Sequence, residues 1–229
     1  PWLYPLHVAA DCCNSSRQAL TKLLLSSRAD VDGRESCEET TALHRAACYC
    51  SAVTRLLIEN RACVNAKSRN RAMPLHYAAQ CGHPSVISLL LEANATDLDG
   101  TRTFNGPSRL HDGVNPIFLA TEPGNREAVE MLIRAGAKGV NAKKKNGMSA
   151  LLLAAGQGRA DIVKLLLTVK NTEDPGVPVA SISDANWLAF EDLFGQDEIQ
   201  QLTSTLLEAC DGGHTATVQL LVHSRASLD

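Results

Sequence analysis

Aromatic residues are scarce in this chain. Only 4% of its 229 residues are Phe, Trp or Tyr. A core must then be assembled from Ala, Leu, Ile and Val, which suits thin, close-packed helices better than a thick sandwich or barrel. No apolar run reaches the roughly 18 residues of a membrane-spanning helix, so no membrane span is expected. The opening Pro1-Trp2-Leu3-Tyr4 has neither the charged start nor the apolar stretch of a signal peptide. A basic excess is missing too. The formal net charge of −3 argues against a dominant nucleic-acid footprint. Catalytic signatures are absent: there is no Gly-x-Ser-x-Gly, no phosphate-binding glycine loop, no His-Glu-x-x-His and no acid pair at a defined spacing. Glu191-Asp192 and Asp197-Glu198 read as a solvated face.

Cysteine is present, at positions 12, 13, 37, 48, 50, 63, 81 and 210. The chain is long for a disulfide framework, and these residues sit among Ala and Leu in helical patterns. They read as reduced thiols acting as small hydrophobes, in an intracellular setting, cytoplasmic or nuclear. Cys12, Cys13, Cys48, Cys50 and Cys81 fall near the middle of successive helix pairs. A tetrahedral zinc site would need four ligands. There is no Cys-x-x-Cys pair, and packed helices stand roughly 10 Å apart. Ordinary packing is therefore expected over a metal site or redox pairing, and no metal or cofactor is called for.

What the chain has in quantity is repetition. A tetrapeptide recurs as Tyr4-Pro-Leu-His7, Thr41-Ala-Leu-His44, Met73-Pro-Leu-His76, Asn115-Pro-Ile-Phe118, Ser149-Ala-Leu-Leu152 and Ser204-Thr-Leu-Leu207. The starts differ by 37, 32, 42, 34 and 55 residues, a period in the low thirties with insertions. A small pair follows each one: Ala9-Ala10, Ala46-Ala47, Ala78-Ala79, Ala120-Thr121, Ala154-Ala155 and Ala209-Cys210. Small side chains let one helix lie close against the next. Four copies then break at Gly82-His83, Gly124-Asn125, Gly158-Arg159 and Gly213-His214, where glycine suits a helix end of positive φ. A second apolar helix and a polar finger complete the unit. Copy one carries about three extra residues between its helices, and copy two is about one residue short. One helix pair cannot bury its own apolar face, so consecutive pairs must stack into one array.

These residues resemble the ankyrin-repeat family, whose unit of about 33 residues carries Thr-Pro-Leu-His-x-Ala. Met73-Pro-Leu-His-Tyr-Ala-Ala-Gln-Cys-Gly-His83 with Leu89-Leu-Leu91 matches closely, as does Thr41-Ala-Leu-His-Arg-Ala-Ala47. The resemblance covers about three quarters of the chain. It implies an all-α solenoid of stacked helix-turn-helix repeats over 1–229. The repeats fall at about 1–33, 38–66, 70–98, 112–142, 146–168 and 202–229, with insertions at about 99–111 and 169–201. It also implies that His7, His44 and His76 hold the turns through hydrogen bonds. In the last three copies Phe118, Leu152 and Leu207 replace that histidine. The chain starts just before the first tetrapeptide and stops where a finger would begin, so a fragment of a longer array is expected.

The resemblance implies a non-catalytic scaffold that binds a partner protein or peptide on its concave surface of fingers and inner helices. The other reading it allows is a recognition or regulatory segment of a larger enzyme or channel, such as a ubiquitin-ligase adaptor, a kinase or an ion channel. Arg45, Tyr49, Tyr77 and Gln80 are the candidate inner-helix contacts, because Tyr and Arg are enriched at binding hot spots. Glu122 and Gln157 share that side. Lys67, Arg69 and Arg71 on one finger, and Lys143, Lys144 and Lys145 on another, could steer an acidic partner or merely keep the surface soluble. Trp187, Phe190 and Phe194 are spaced for one helical face in the second insertion. That face either seals the array or, through Trp187 and Phe190, docks a partner.

Overall fold

The computed structural model describes residues 5–11, 14–101, 113–144, 147–170, 209–210 and 212–219. Residues 209–210 and 215–219 are helical, and between residues 5 and 170 ten α-helices run as five consecutive pairs. These are α1 (Pro5–Ala10) with α2 (Ser15–Ser26), α3 (Ala42–Tyr49) with α4 (Ser51–Glu59), and α5 (Pro74–Cys81) with α6 (Pro84–Glu92). The last two are α7 (Pro116–Thr121) with α8 (Arg126–Arg134) and α9 (Ala150–Gly156) with α10 (Ala160–Lys170). A 3-10 turn, Gly139–Asn141, lies between the fourth and fifth pairs. Odd-numbered helices pack on one another in chain order and form an inner layer; the even-numbered ones form an outer layer. The described residues hold no strand; Lys143 and Ser149 form an isolated antiparallel bridge in a finger.

The inner layer is close because its contact residues are small. Every member of the small pairs from Ala9 to Ala155 is sealed: Ala9, Ala10, Ala46, Ala47, Ala78, Ala79, Ala120, Thr121, Ala154 and Ala155 are all at 0% exposure. Larger apolar side chains come from both layers, Leu43, Leu75 and Ile117 from the inner one. Leu57, Leu90 and Leu132 recur at the same place in α4, α6 and α8 and are completely buried. Burying one such side chain stabilises by roughly 1.5–3 kcal/mol.

The turn-holding histidines are where the repeat pattern expects them. Each does two jobs. On its own repeat, the Thr41 N–H donates to His44 Nδ1 at 3.0 Å, and the Met73 N–H to His76 Nδ1 at 3.3 Å. Toward the next repeat, Nε2–H donates to a finger carbonyl: His7 to Thr40 at 2.8 Å, His44 to Ala72 at 3.1 Å and His76 to Gly100 at 2.7 Å. In the fourth repeat, where Phe118 replaces the histidine, Asn115 takes both jobs. Its Oδ1 accepts from the Phe118 N–H, and its Nδ2 donates to the Gly139 carbonyl.

The first insertion begins as a structural element. Asp99 caps the next finger by accepting from the Lys138 and Gly139 N–H groups, at 3.1 and 2.6 Å. Residues 102–111 of that insertion, and residue 112 after it, lie outside the described residues. So do residues 171–201 of the second insertion, including Trp187, Phe190 and Phe194. The sixth repeat is described only at 209–210 and 212–219, yet its break repeats the earlier geometry. Gly213 has φ +69°, and the His214 N–H donates to the Ala209 carbonyl.

Candidate functional site

The residues directly after the tetrapeptide, in the phase of Arg45, which contacts a finger, are Val8, Arg45, Tyr77, Leu119 and Leu153. Leu119 is buried and the other four are half-buried. Val8, Leu119 and Leu153 were not singled out from the sequence. Their signal is phase alone, since each stands directly after the last residue of its tetrapeptide.

Arg45 shows how close the fingers come. Its guanidinium donates to Glu35 in the preceding finger at 2.6 Å and to Asp11 beyond α1 at 3.0 Å. Burial would raise the Glu35 carboxyl, but hydrogen bonds from Thr40 and Arg45 outweigh it and hold its pKa below the ordinary value. Burial likewise works against the Arg45 charge, and its bonds to Glu35 and Asp11 carry the pKa above the usual arginine value. Arg45 is thus engaged within the molecule, tying the first two repeats together. Tyr77 is partly engaged as well. Its ring meets the His44 imidazole edge-on, centroids 5.4 Å apart. The more open candidates are Tyr49, 54% exposed, and Gln80, also exposed. Glu122 and Gln157 are exposed at the matching helix ends, and Gln157 Nε2 donates to the Glu122 carbonyl.

The finger cations face acids of neighbouring fingers. Lys67 pairs with Asp97 at 3.0 Å, and Arg69 with Glu39 at 3.5 Å. Lys144 lies over the Phe118 ring, 3.7 Å from its centroid. Lys143 and Arg71 are exposed, and Lys145 lies outside the described residues. Arg71 sits in the tight turn of its finger at φ +59°.

The cysteines correct the sequence reading. Cys48 at the end of α3 and Cys81 at the end of α5 form a disulfide, with Cα atoms 5.4 Å apart. That separation is in the normal range for a disulfide. The expected spacing of packed helix axes misled here. It ignores that Ala46, Ala47, Ala78 and Ala79 let these helices approach, and that both thiols sit at facing helix ends. Cys50, buried next to them, is also disulfide-bonded. Cys37, Cys63 and Cys210 are free and exposed, so they do not act as buried hydrophobes.

A second ladder links the breaks. His83 Nε2–H donates to the Cys48 carbonyl, and Asn125 Nδ2 donates to the Gly82 carbonyl at 2.6 Å. The residue after one glycine therefore reaches back to the break before it. At Gly158 a Cβ would collide with the His214 ring, so bare glycine is what admits the next repeat.

A family model described as ankyrin repeats, in three copies, matches residues 6–102 and again residues 100–178. The two matches cover well over half of the chain. The chain belongs to the ankyrin-repeat family. No curated protein matches it. Ankyrin repeats are in general protein–protein interaction modules and typically non-catalytic. In this ankyrin array the helix ends and finger bases described above occupy neighbouring ground, as the Arg45–Glu35 pair shows. No described helix is long and apolar enough to cross a membrane.

Proposed function

We propose that this array is a non-catalytic binding module that receives a partner protein or peptide along the inner-helix ends, with Tyr49 and Gln80 at the centre of the contact. One observation carries the reading. Tyr49 is a large aromatic side chain left more than half exposed at the end of an inner helix, in a chain that has few aromatics. Tyrosine supplies a rigid, amphipathic contact at low entropic cost, which is why it recurs at hot spots. The helix beneath it is already fixed by packing, so little ordering cost falls on binding.

The charges refine the kind of partner. Lys67 and Arg69 already face Asp97 and Glu39, and Lys144 lies on Phe118. An acidic partner would therefore meet chiefly Arg71, exposed in its finger turn, rather than a field of free cations. Its attraction would be modest and would add more to the association rate than to affinity. Arg45 acts here by positioning the first two repeats, not as a primary contact.

The test is affinity capture of the partner by the whole chain and by Tyr49→Ala with Gln80→Ala. Loss of a tyrosine hot spot should weaken binding by about 10- to 30-fold, while far-UV circular dichroism stays helical. Undiminished binding by a helical double variant would overturn the assignment.

A further inference from the structure

We infer that Cys48 and Cys81 form a reversible redox clasp between the second and third repeats, and that the clasp holds the last turn of α3, which carries Tyr49. The break between α3 and α4 departs from those of the four later repeats. There Gly82, Gly124, Gly158 and Gly213 are left-handed and close the inner helix. Two backbone bonds form there, as from Gly82 N–H to Ala79 and from His83 N–H to Ala78. The second repeat is one residue short and has no glycine. Cys50 alone separates α3 from α4, in an extended conformation at φ −151° and ψ 107°. A left-handed closure cannot form there. What closes the end of α3 comes instead from the neighbouring repeat. His83 caps the Cys48 carbonyl, and Cys81 bonds the Cys48 sulfur across a separation of 33 residues, one repeat.

Access makes the clasp reversible. Cys48 and Cys81 are both half-exposed residues at helix ends, the placement that attack by a small thiol requires. The oxidant belongs to the class of low-molecular-weight disulfides, such as oxidised glutathione. One cysteine thiolate attacks it, forms a mixed disulfide and releases one thiol. The second cysteine then attacks the mixed disulfide and releases the other. Two cysteine thiols and one glutathione disulfide become one protein disulfide and two glutathione thiols, so protons and electrons balance. Excess reduced glutathione drives the same steps backwards. The clasp itself stands on helix-end geometry; only its consequence for binding rests on the surface proposed above.

The experiment equilibrates the whole chain in glutathione buffers of graded ratio, blocks free thiols and maps the linked peptides by mass. Amide hydrogen exchange is read in the same samples. A peptide joining Cys48 to Cys81 should appear and disappear reversibly with the ratio. On reduction, the Cys50 amide, which bonds the Ala46 carbonyl at 2.8 Å, should exchange about tenfold faster or more, with α7 and α8 unchanged. Cys81→Ser should show the fast exchange in both buffers, which separates this bond from the one at Cys50. Absence of the linked peptide at every ratio, or unchanged α3 exchange once it is cleaved, would overturn the clasp. So would fast exchange on reduction that Cys81→Ser fails to reproduce. These readouts need no partner, so failure of the clasp and failure of the binding surface are told apart.

Discussion

His44 concentrates the chemistry of the repeat in one imidazole. Its Nδ1 accepts from the Thr41 N–H and its Nε2–H donates to Ala72, an arrangement only the neutral ring can make. Burial is the main reason its pKa falls, from 6.5 to about 4; nearby Arg34 and His76 push the same way, and its bonds to backbone carbonyls oppose them. The consequence for stability has a definite sign. Above pH 6.5 the ring is neutral in both folded and unfolded chains, and the difference vanishes. Between 6.5 and about 4 the unfolded chain takes up a proton that the folded one refuses. Stability therefore falls as pH drops through that window, by at most roughly 3 kcal/mol from this group. Glu35, with its lowered pKa, adds loss in the same direction at still lower pH. Urea midpoints at pH 7.5 and pH 4.5 check this, and a flat profile would contradict the neutral-ring account. That a histidine holds the turn was legible through the family resemblance that its tetrapeptide carries. Asn115 doing the same work with a different side chain was not, because an N-cap asparagine looks alike whether or not its amide reaches the next repeat.

Among the helices and turns, those that close without glycine were hidden from the sequence. At the end of the outer helices, Arg28, Arg61 and Asn94 adopt φ of 61°, 65° and 63°, and Gly136 stands at the equivalent place with φ 89°. The following residue then donates back into the helix, as Ala62 does to Leu57 and Ala137 to Leu132. The finger turns share the device, with Glu39 and Arg71 in the phase of Gly147. Composition at these positions gave no warning, since Arg and Glu are poor choices for left-handed backbone. The four inter-helix glycines, by contrast, were readable because the residue itself announces the conformation. A reciprocal pair of substitutions tests this. Arg61→Gly should stabilise the array by about 0.5–1 kcal/mol by relieving the left-handed strain. Gly136→Ala should cost about 1 kcal/mol. A Cβ there meets nothing within 4 Å, so the cost is conformational and not steric. Thermal melts of both variants decide it, and destabilisation by Arg61→Gly would refute the argument.

At the scale of the whole molecule, stability is distributed along a line. Each inner helix packs on the inner helices beside it and each outer helix on its outer neighbours. That order followed from the sequence, because one helix pair cannot bury its own face. The cross-links between repeats did not follow from it. The Cys48–Cys81 bond, the ion pairs between fingers and the Asp99 cap depend on side chains a repeat apart meeting in space. A linear array predicts a local response to local damage. Leu90 is wholly buried in α6, the outer helix of the third repeat. Leu90→Ala should cost about 2–5 kcal/mol there through lost burial and the cavity left behind. Its effect should reach α4 and α8 through their packing on α6, and decay toward α10, which packs on α8. Hydrogen exchange across the chain measures this directly. Protection should fall most in α5 and α6, less in α3, α4, α7 and α8, and least in α9 and α10. A uniform loss in every helix would mean that the repeats unfold as one cooperative unit, and nearest-neighbour coupling would then be the wrong description of this array.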